Sequence, residues 1–296
     1  MIVIFLLNKL KWIIKIVLLC FHKSIKDVIR HNGIEHAGYL SFLLMLSIFP
    51  FLFFLISIVM LFVPIDLSEQ ILIEITESFD MTFSNLIYFL KPRINEITNT
   101  RTHSLLTLAI FSAIWTASSI FEALRTILNK SNRVSEPPSY LFRRLISIIE
   151  FITMIFLTII IMLFLSSIPS LILKIIRTFN IKGSNYYFYV IKNTSFLRIV
   201  SITCYSFFWL VCLYYFLPNK KQKIMQIIPG AILVIFFWHC FTNLFKYYIV
   251  TSSQLSAIYG SIVGVIIALL YFYFCSIIFV LGAEFNYNLF NSVNEL

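Results

Sequence analysis

The sequence predicts an all-α protein that crosses a membrane six times. Hydrophobic residues make up 60% of the chain and charged residues only 12%, against about a quarter in soluble domains. The mean hydropathy is +0.92. Several apolar runs also exceed the ~20 residues that a helix needs to cross the bilayer core. Uninterrupted runs of this length indicate helices, because a helix satisfies all of its own backbone hydrogen bonds in lipid.

Six apolar runs are long enough to be membrane-spanning helices. The predicted spans cover residues 38–63, 104–124, 145–173, 196–217, 229–250 and 258–282. The last two form a hairpin across a short polar turn. Pro229 and Gly230 open the fifth run, and proline at the first helical position loses no hydrogen bond. The fifth helix is therefore predicted to begin at this proline.

Two segments are predicted to lie outside the bundle core. In residues 1–37, polar side chains share one narrow helical stripe, which is typical of a helix lying in the membrane interface. The stripe consists of Asn8, Lys11, Lys15, His22 and Lys26. Residues 64–103 are polar and acidic but keep apolar helical spacing, which predicts a helical insertion. The domain organisation is thus an interfacial segment, 1–37, followed by a transmembrane domain, 38–296, that carries the insertion.

The distribution of Lys and Arg predicts the orientation of the chain. Residues 1–38, 122–144, 218–226 and the C-terminal tail fall on one side of a six-span bundle and hold most of the Lys and Arg. This excess predicts that both termini are cytoplasmic and that the insertion is extracytoplasmic. The net charge of +10 therefore indicates anchors beside lipid headgroups, and membrane lipids are predicted as partners in place of nucleic acid.

Short motifs follow one another in order over nearly the whole chain. They are Ala37–Phe42 with Ser47–Pro50, Trp115–Ser119 with Leu128–Asn129, Leu217–Lys221, Ile228–Ala231, Ala257–Ser261 and Leu281–Glu284. In order and spacing this set resembles the YihY/BrkB family of bacterial inner-membrane proteins. The resemblance implies a helical protein of the inner membrane. It implies no agreed biochemical activity, because members have been labelled ribonuclease BN and others have been linked to virulence or envelope lipid phenotypes.

Small residues recur every four positions in two of the predicted spans. Such stripes let helix backbones approach closely inside a membrane. The second span carries Ala109, Ala113 and Ala117, and the sixth carries Gly260, Gly264 and Ala268. Both stripes are predicted to pack against other helices.

Ionisable residues near the cytoplasmic ends of the spans form a first candidate site. Glu122, Arg125 and Asn129 share one face of the second span, and the topology places Glu150 and Glu284 at a similar depth. Arg125 has three candidate partners in Glu122, Glu150 and Glu284. A buried group of this kind is either a structural charge network that locks the helices together or a cytoplasmic gate or headgroup site.

A second candidate site is the polar face of the fifth span. His239, Thr242, Asn243 and Lys246 follow the spacing i, i+3, i+4, i+7 and so share a face. One interpretation is that His239 only hydrogen-bonds to a neighbouring helix. The other is a water-filled, partly cationic cavity suited to anionic headgroups or to proton movement.

Motifs for enzyme chemistry are missing from the sequence. The five histidines are scattered, and neither a zinc-ligand pattern nor a phosphate-binding loop occurs. The five cysteines form no C-x-x-C pair, so no metal site, disulfide framework or cofactor is predicted. The leading hypothesis is a transporter or flippase for lipids or other amphiphiles. The alternatives are a scaffolding protein of the envelope, with envelope proteins or a second copy as partners, and a membrane enzyme.

Overall fold

The protein is helical throughout the part of the chain that the structure describes. The computed structural model describes residues 2–62, 103–134, 139–158, 194–251 and 261–294. Seven helices and no strand occur in these ranges. They are α1 (Ile2–Arg30), α2 (Gly33–Phe62), α3 (His103–Ser131), α4 (140–158), α5 (Thr194–Phe216), α6 (Ile224–Thr251) and α7 (Ser261–Asn294).

Two of the described helices are long and apolar enough to cross a membrane. The qualifying stretches are Ile224–Ile249 in α6 and Val263–Ser292 in α7. Shorter apolar stretches, Gly33–Ile48 and Ile202–Phe216, belong to α2 and α5. These four stretches overlap the predicted first, fourth, fifth and sixth spans. Most of the predicted insertion and residues 159–173 of the third span lie outside the described residues, so the count of six spans stays a prediction.

Helix α6 begins one turn earlier than the position of Pro229 predicted. The helix starts at Ile224, and Pro229 lies inside it. The Oε1 atom of Gln226 accepts a hydrogen bond from the backbone N–H of Lys223 at 3.1 Å, which is half of a capping box. This cap stabilises a first turn ahead of the proline, so the prediction that the helix begins at Pro229 is wrong.

Helix α7 is much longer than the predicted sixth span. Its 34 residues correspond to about 51 Å, whereas the hydrocarbon core of a bilayer is ~30 Å thick. The part beyond Gly282 carries Glu284, Asn286 and Asn288, two of which are almost fully buried. This extension supplies most of the polar contacts described below.

The α6–α7 hairpin is antiparallel and closely packed. Trp238 Nε1 donates to the carbonyl oxygen of Cys275 at 3.0 Å. Nearer the charged loops, a Cβ added to Gly230 would lie 2.5 Å from the amide of Asn286 and would collide with the carbonyl oxygen of Gly282. Helix α5 joins the same pair through Tyr214, whose hydroxyl donates to the carbonyl oxygen of Phe279 at 2.7 Å.

Helix α1 packs on the C-terminal part of α7 through one stripe. Cys20, Ser24 and Val28 are buried. Asn288 Nδ2 donates to Ser24 Oγ at 3.1 Å, and Cys20 Sγ lies 3.2 Å from Ser292 Oγ. In the predicted polar stripe, Lys15, His22 and Lys26 are exposed, while the side chains of Asn8 and Lys11 lie outside the description.

The chain divides into two compact units. The first comprises residues 1–42 and 120–296, and the second comprises residues 43–119. Every contact of the candidate sites below belongs to the first unit. Within the second unit, the rings of Phe111 and Trp115 stack at 6.2 Å along α3.

Candidate functional site

Arg125 is the most deeply buried cation in the described part of the chain. It is 2% exposed, in the half of α3 that ends at Ser131. Its Nη2 atom donates to Glu150 Oε2 on α4. Of its three predicted partners, Arg125 therefore pairs with Glu150. A buried charge needs such a partner, because an unpaired ion in the interior is strongly destabilising.

Glu122 takes its partners from the start of α4. Its Oε1 lies 3.7 Å from Arg143 Nη2, and its Oε2 lies 3.6 Å from Arg144 Nη1. The start of α4 thus supplies two guanidinium groups to one carboxylate. Together, the Arg125–Glu150 and Glu122–Arg143–Arg144 contacts hold α3 and α4 side by side.

Glu284 pairs with Arg133, a residue that the sequence analysis did not place in the site. Glu284 is 1% exposed, and Arg133 donates to both of its oxygens, Nη1 to Oε1 at 3.0 Å and Nη2 to Oε2 at 2.8 Å. This bidentate geometry is the strongest that a carboxylate and a guanidinium can form. Asp27 Oδ2 lies 3.6 Å from Arg133 Nη2, and His31 Nδ1 lies 3.4 Å from Glu284 Oε1.

Arg133 also terminates α3. Its φ angle is 59°, and its Nη1 donates to the carbonyl oxygens of Lys130 at 3.0 Å and Ser131 at 3.1 Å. The last carbonyls of a helix have no partner within the helix, so the guanidinium caps them. Its plane also lies over the Tyr287 ring, 4.6 Å from the centroid. A buried carboxylate in an apolar helix indicates that a cationic partner lies nearby, but the sequence does not identify that partner.

Amide side chains complete this end of the bundle by binding backbone groups. Asn129 Oδ1 accepts from the N–H of Asn219 at 2.7 Å. Asn286 Oδ1 accepts from the N–H of Gly230 at 2.6 Å, while its Nδ2 donates to the carbonyl oxygen of Ile227 at 3.0 Å. Asn288 Nδ2 donates to Asp27 Oδ2 at 2.9 Å.

These contacts join the four segments that were predicted to share one side of the membrane. We call the assembly the charged end. It consists of residues 27–36, 122–150, 217–230 and 280–288. Of its five predicted members, Arg125 and Glu150 meet directly, whereas Glu122, Asn129 and Glu284 each have other partners in the same assembly.

The predicted polar face of α6 is divided between two neighbouring helices. His239 Nε2 lies 3.0 Å from Thr203 Oγ1 of α5, and its Nδ1 lies 3.1 Å from the carbonyl oxygen of Ile235. Because a carbonyl only accepts, Nδ1 is the donor, and Nε2 of the neutral ring accepts from the threonine. Thr242 Oγ1 lies 3.2 Å from the Tyr271 hydroxyl of α7. Asn243 and Lys246 are exposed.

The small-residue stripes are only partly described. Ala117 is 7% exposed, but the side chains of Ala109 and Ala113 and all of Gly260 lie outside the description. Among the described residues, no side chain or neighbouring backbone lies within 4 Å of a Cβ placed on Gly264, and Ala268 is half-buried. The close helix approach that the structure does contain is between Gly230 and Gly282, which the spacing rule did not identify.

Two cavities accompany these sites. An apolar groove of about 310 Å³ runs between α2 and α7, lined by Gly38, Phe42 and Tyr273 among others. A cavity of only about 10 Å³ lies inside the charged end, beside His31, His36, Lys130 and Glu284. Within the described ranges, no three His, Cys, Asp or Glu side chains converge as metal ligands would.

Long apolar helices joined at one end by buried ion pairs define a helical membrane protein. The sequence profile of the family described as Virulence factor BrkB matches residues 24–295, and the chain belongs to this family. It is 29% identical over 258 residues to a protein of Bacillus subtilis (strain 168) provisionally named ribonuclease-like protein YfkH, covering 86% of this chain and 90% of the relative. No solved structure matches this chain.

Proposed function

We propose that the protein is a transporter or flippase for lipids or other amphiphiles in the bacterial inner membrane, and not an enzyme. In this proposal the chain spans the membrane six times, and the charged end faces the cytoplasm. Residues 64–103 form the extracytoplasmic insertion. The relative's ribonuclease-like name does not enter the proposal, which is argued from the long apolar helices and the polar residues that they carry.

The observation that carries the proposal is the exposed amide of Asn243. It lies within the 26-residue apolar stretch Ile224–Ile249 of α6, between one and two turns from its C-terminal end and next to the exposed apolar side chain of Leu244. Leaving an amide without hydrogen bonds in an apolar medium costs about 2–7 kcal/mol. A polar group held at this depth is therefore expected to face water, a polar solute or another protein surface.

The neighbouring residues support a path for a polar headgroup. His239 is exposed on the same face, and its hydrogen bond to Thr203 fixes its ring, so its outer surface can meet a solute without rearrangement. Lys246 lies one turn further along and adds a positive charge, which suits the phosphate of a lipid. The paired charges of the charged end would then close the path at one side of the membrane.

The test is lipid scrambling by the purified full-length protein in liposomes that contain a fluorescent phospholipid. The wild-type protein should accelerate loss of leaflet asymmetry well beyond empty liposomes. Asn243→Leu should slow this activity by about tenfold or more, since each ~1.4 kcal/mol of lost stabilisation of the moving headgroup is a factor of ten.

Leu244→Ala is the matched control, because this side chain is next in sequence, exposed and apolar, and the control should retain activity. If lipid scrambling with the wild-type protein is no faster than in empty liposomes, the proposal fails. A scaffolding role then becomes the better hypothesis. If the wild-type protein scrambles lipid and Asn243→Leu is fully active, the path lies elsewhere. A change in oligomeric state with Asn243→Leu would instead assign this residue to contact with a second copy.

A further inference from the structure

The corner between α1 and α2 brings two histidines to a small cavity inside the charged end. His31 lies in the turn and His36 in the first turn of α2, and both line the cavity with Lys130 of α3 and Glu284 of α7. The cavity volume, about 10 Å³, is close to that of one water probe. Histidine is the side chain whose ordinary pKa allows it to gain a proton near neutral pH.

His36 is held in its unprotonated form by the geometry. Lys130 Nζ lies 3.0 Å from His36 Nε2, and because an ammonium group can only donate, the imidazole nitrogen must accept. Burial lowers the pKa of His36, and the charge of Lys130 lowers it further, while Glu35 opposes both effects. This hydrogen bond ties the start of α2 to the last turn of α3.

His31 is arranged in the opposite sense. Its Nδ1 atom is buried, 3.4 Å from Glu284 Oε1, and makes no hydrogen bond in the described structure. Carboxylate oxygens only accept hydrogen bonds, so a proton on Nδ1 would turn this approach into an ion pair. The contact of His31 with Glu284 is therefore independent of the hydrogen bond between His36 and Lys130.

We infer that this corner is a proton-binding site that regulates how α2 is held in the bundle. Protonation of His36 removes the acceptor for Lys130 and places two positive charges beside each other, which releases the first turn of α2 from α3. The contact of His31 with Glu284 does not involve Lys130, so the turn stays attached to α7. Acid therefore releases the corner from α3 alone.

The charged groups facing this site all belong to the elements just described. Lys130 and Arg133 come from α3 and its end, Glu284 comes from α7, and Asp27 and Glu35 come from α1 and α2. Histidine is the residue type among these that ordinarily gains a proton between pH 5 and 8. The folded-state pKa of His36 is lowered, so the attachment of α2 is complete above pH ~6.5 and is lost as the pH falls below that value.

Amide hydrogen exchange of the full-length protein in detergent micelles tests the inference directly. Rates for residues 33–40 are compared at pH 5.5 and 7.5 after correction for the chemical exchange rate. Exchange of this segment should be about three- to tenfold faster at pH 5.5, because protonation of His36 removes the contact that holds the segment closed. An unchanged corrected rate would overturn the inference.

His36→Gln separates the proton site from general acid effects. The glutamine amide oxygen can still accept from Lys130 but gains no proton, so the acid response should disappear. His22→Gln is the matched control, because His22 is exposed on α1, and it should keep the full response. If His36→Gln does not fold, Lys130→Gln serves instead, since removing the cation removes the hydrogen bond that acid would break and should reduce the response severalfold. An acid response that persists in the folded variant contradicts the inference.

Discussion

The charged end and the middle of α6 both place polar side chains on largely apolar helices, but they satisfy them differently. Glu284 is 1% exposed and receives two hydrogen bonds from one arginine, whereas Asn243 is exposed on a helix with mean hydropathy 2.0. Buried charges are tolerated only when they are fully paired, so the charged end is expected to stabilise the bundle. The exposed amide of Asn243 instead supports the role in recognition that we propose for it.

Substitutions at the charged end should therefore reduce stability, whereas substitutions of polar residues around Asn243 in α6 should reduce activity.

Glu284→Ala should cause the largest loss of stability. The substitution leaves the guanidinium of Arg133 without its carboxylate partner. An uncompensated positive charge then remains beside the buried amides of the charged end. Breaking a buried pair by removing one partner costs about 3–5 kcal/mol. Thermal unfolding in detergent and the yield of monodisperse protein measure this loss. Lys26→Ala is the control, because Lys26 is a charged side chain exposed on α1 outside the charged end, and it should behave like the wild type. Equal melting temperatures for the two variants would show that the Glu284–Arg133 pair does not support the fold.

Gly230→Ala should have an intermediate effect. The added methyl group would collide with the Gly282 carbonyl and approach the Asn286 amide, so α6 and α7 must move apart. Overpacking of this kind typically costs about 1–3 kcal/mol. Gly264→Ala is the matched control on α7, because the described structure leaves space around its Cβ position. The same unfolding measurement decides the result, and a greater loss at Gly264 would restore the small-residue stripe as the main packing contact.

His239→Ala should have the smallest effect on stability. It removes one hydrogen bond, to Thr203 of α5, and bonds between membrane helices average about 0.6 kcal/mol. A double-mutant cycle with Thr203→Val measures this coupling. If His239 also contacts a moving headgroup, scrambling activity should fall further than the stability change explains. A loss of activity fully accounted for by lost stability would assign His239 to helix packing alone.

Sequence patterns predicted the features that depend on neighbouring residues. Long apolar runs identified the helices around α6 and α7, because hydrophobicity and helical hydrogen bonding are local properties. Charge distribution predicted which segments share one end of the bundle, and contacts such as Asn129–Asn219 bring those segments together. The same patterns placed Arg125, Glu150 and Glu284 among the groups that need partners.

The choice of partners was decided only by the tertiary structure. Arg125 binds Glu150 of α4. Arg133 binds Glu284 because its own positive φ, at the end of α3, directs its side chain toward α7. The close approach of Gly230 and Gly282 also depends on where two helices cross, which spacing along one helix does not encode. The sequence shows which polar groups need partners. The packing of the helices decides which partners they meet, because pairing energies depend on distances across the bundle.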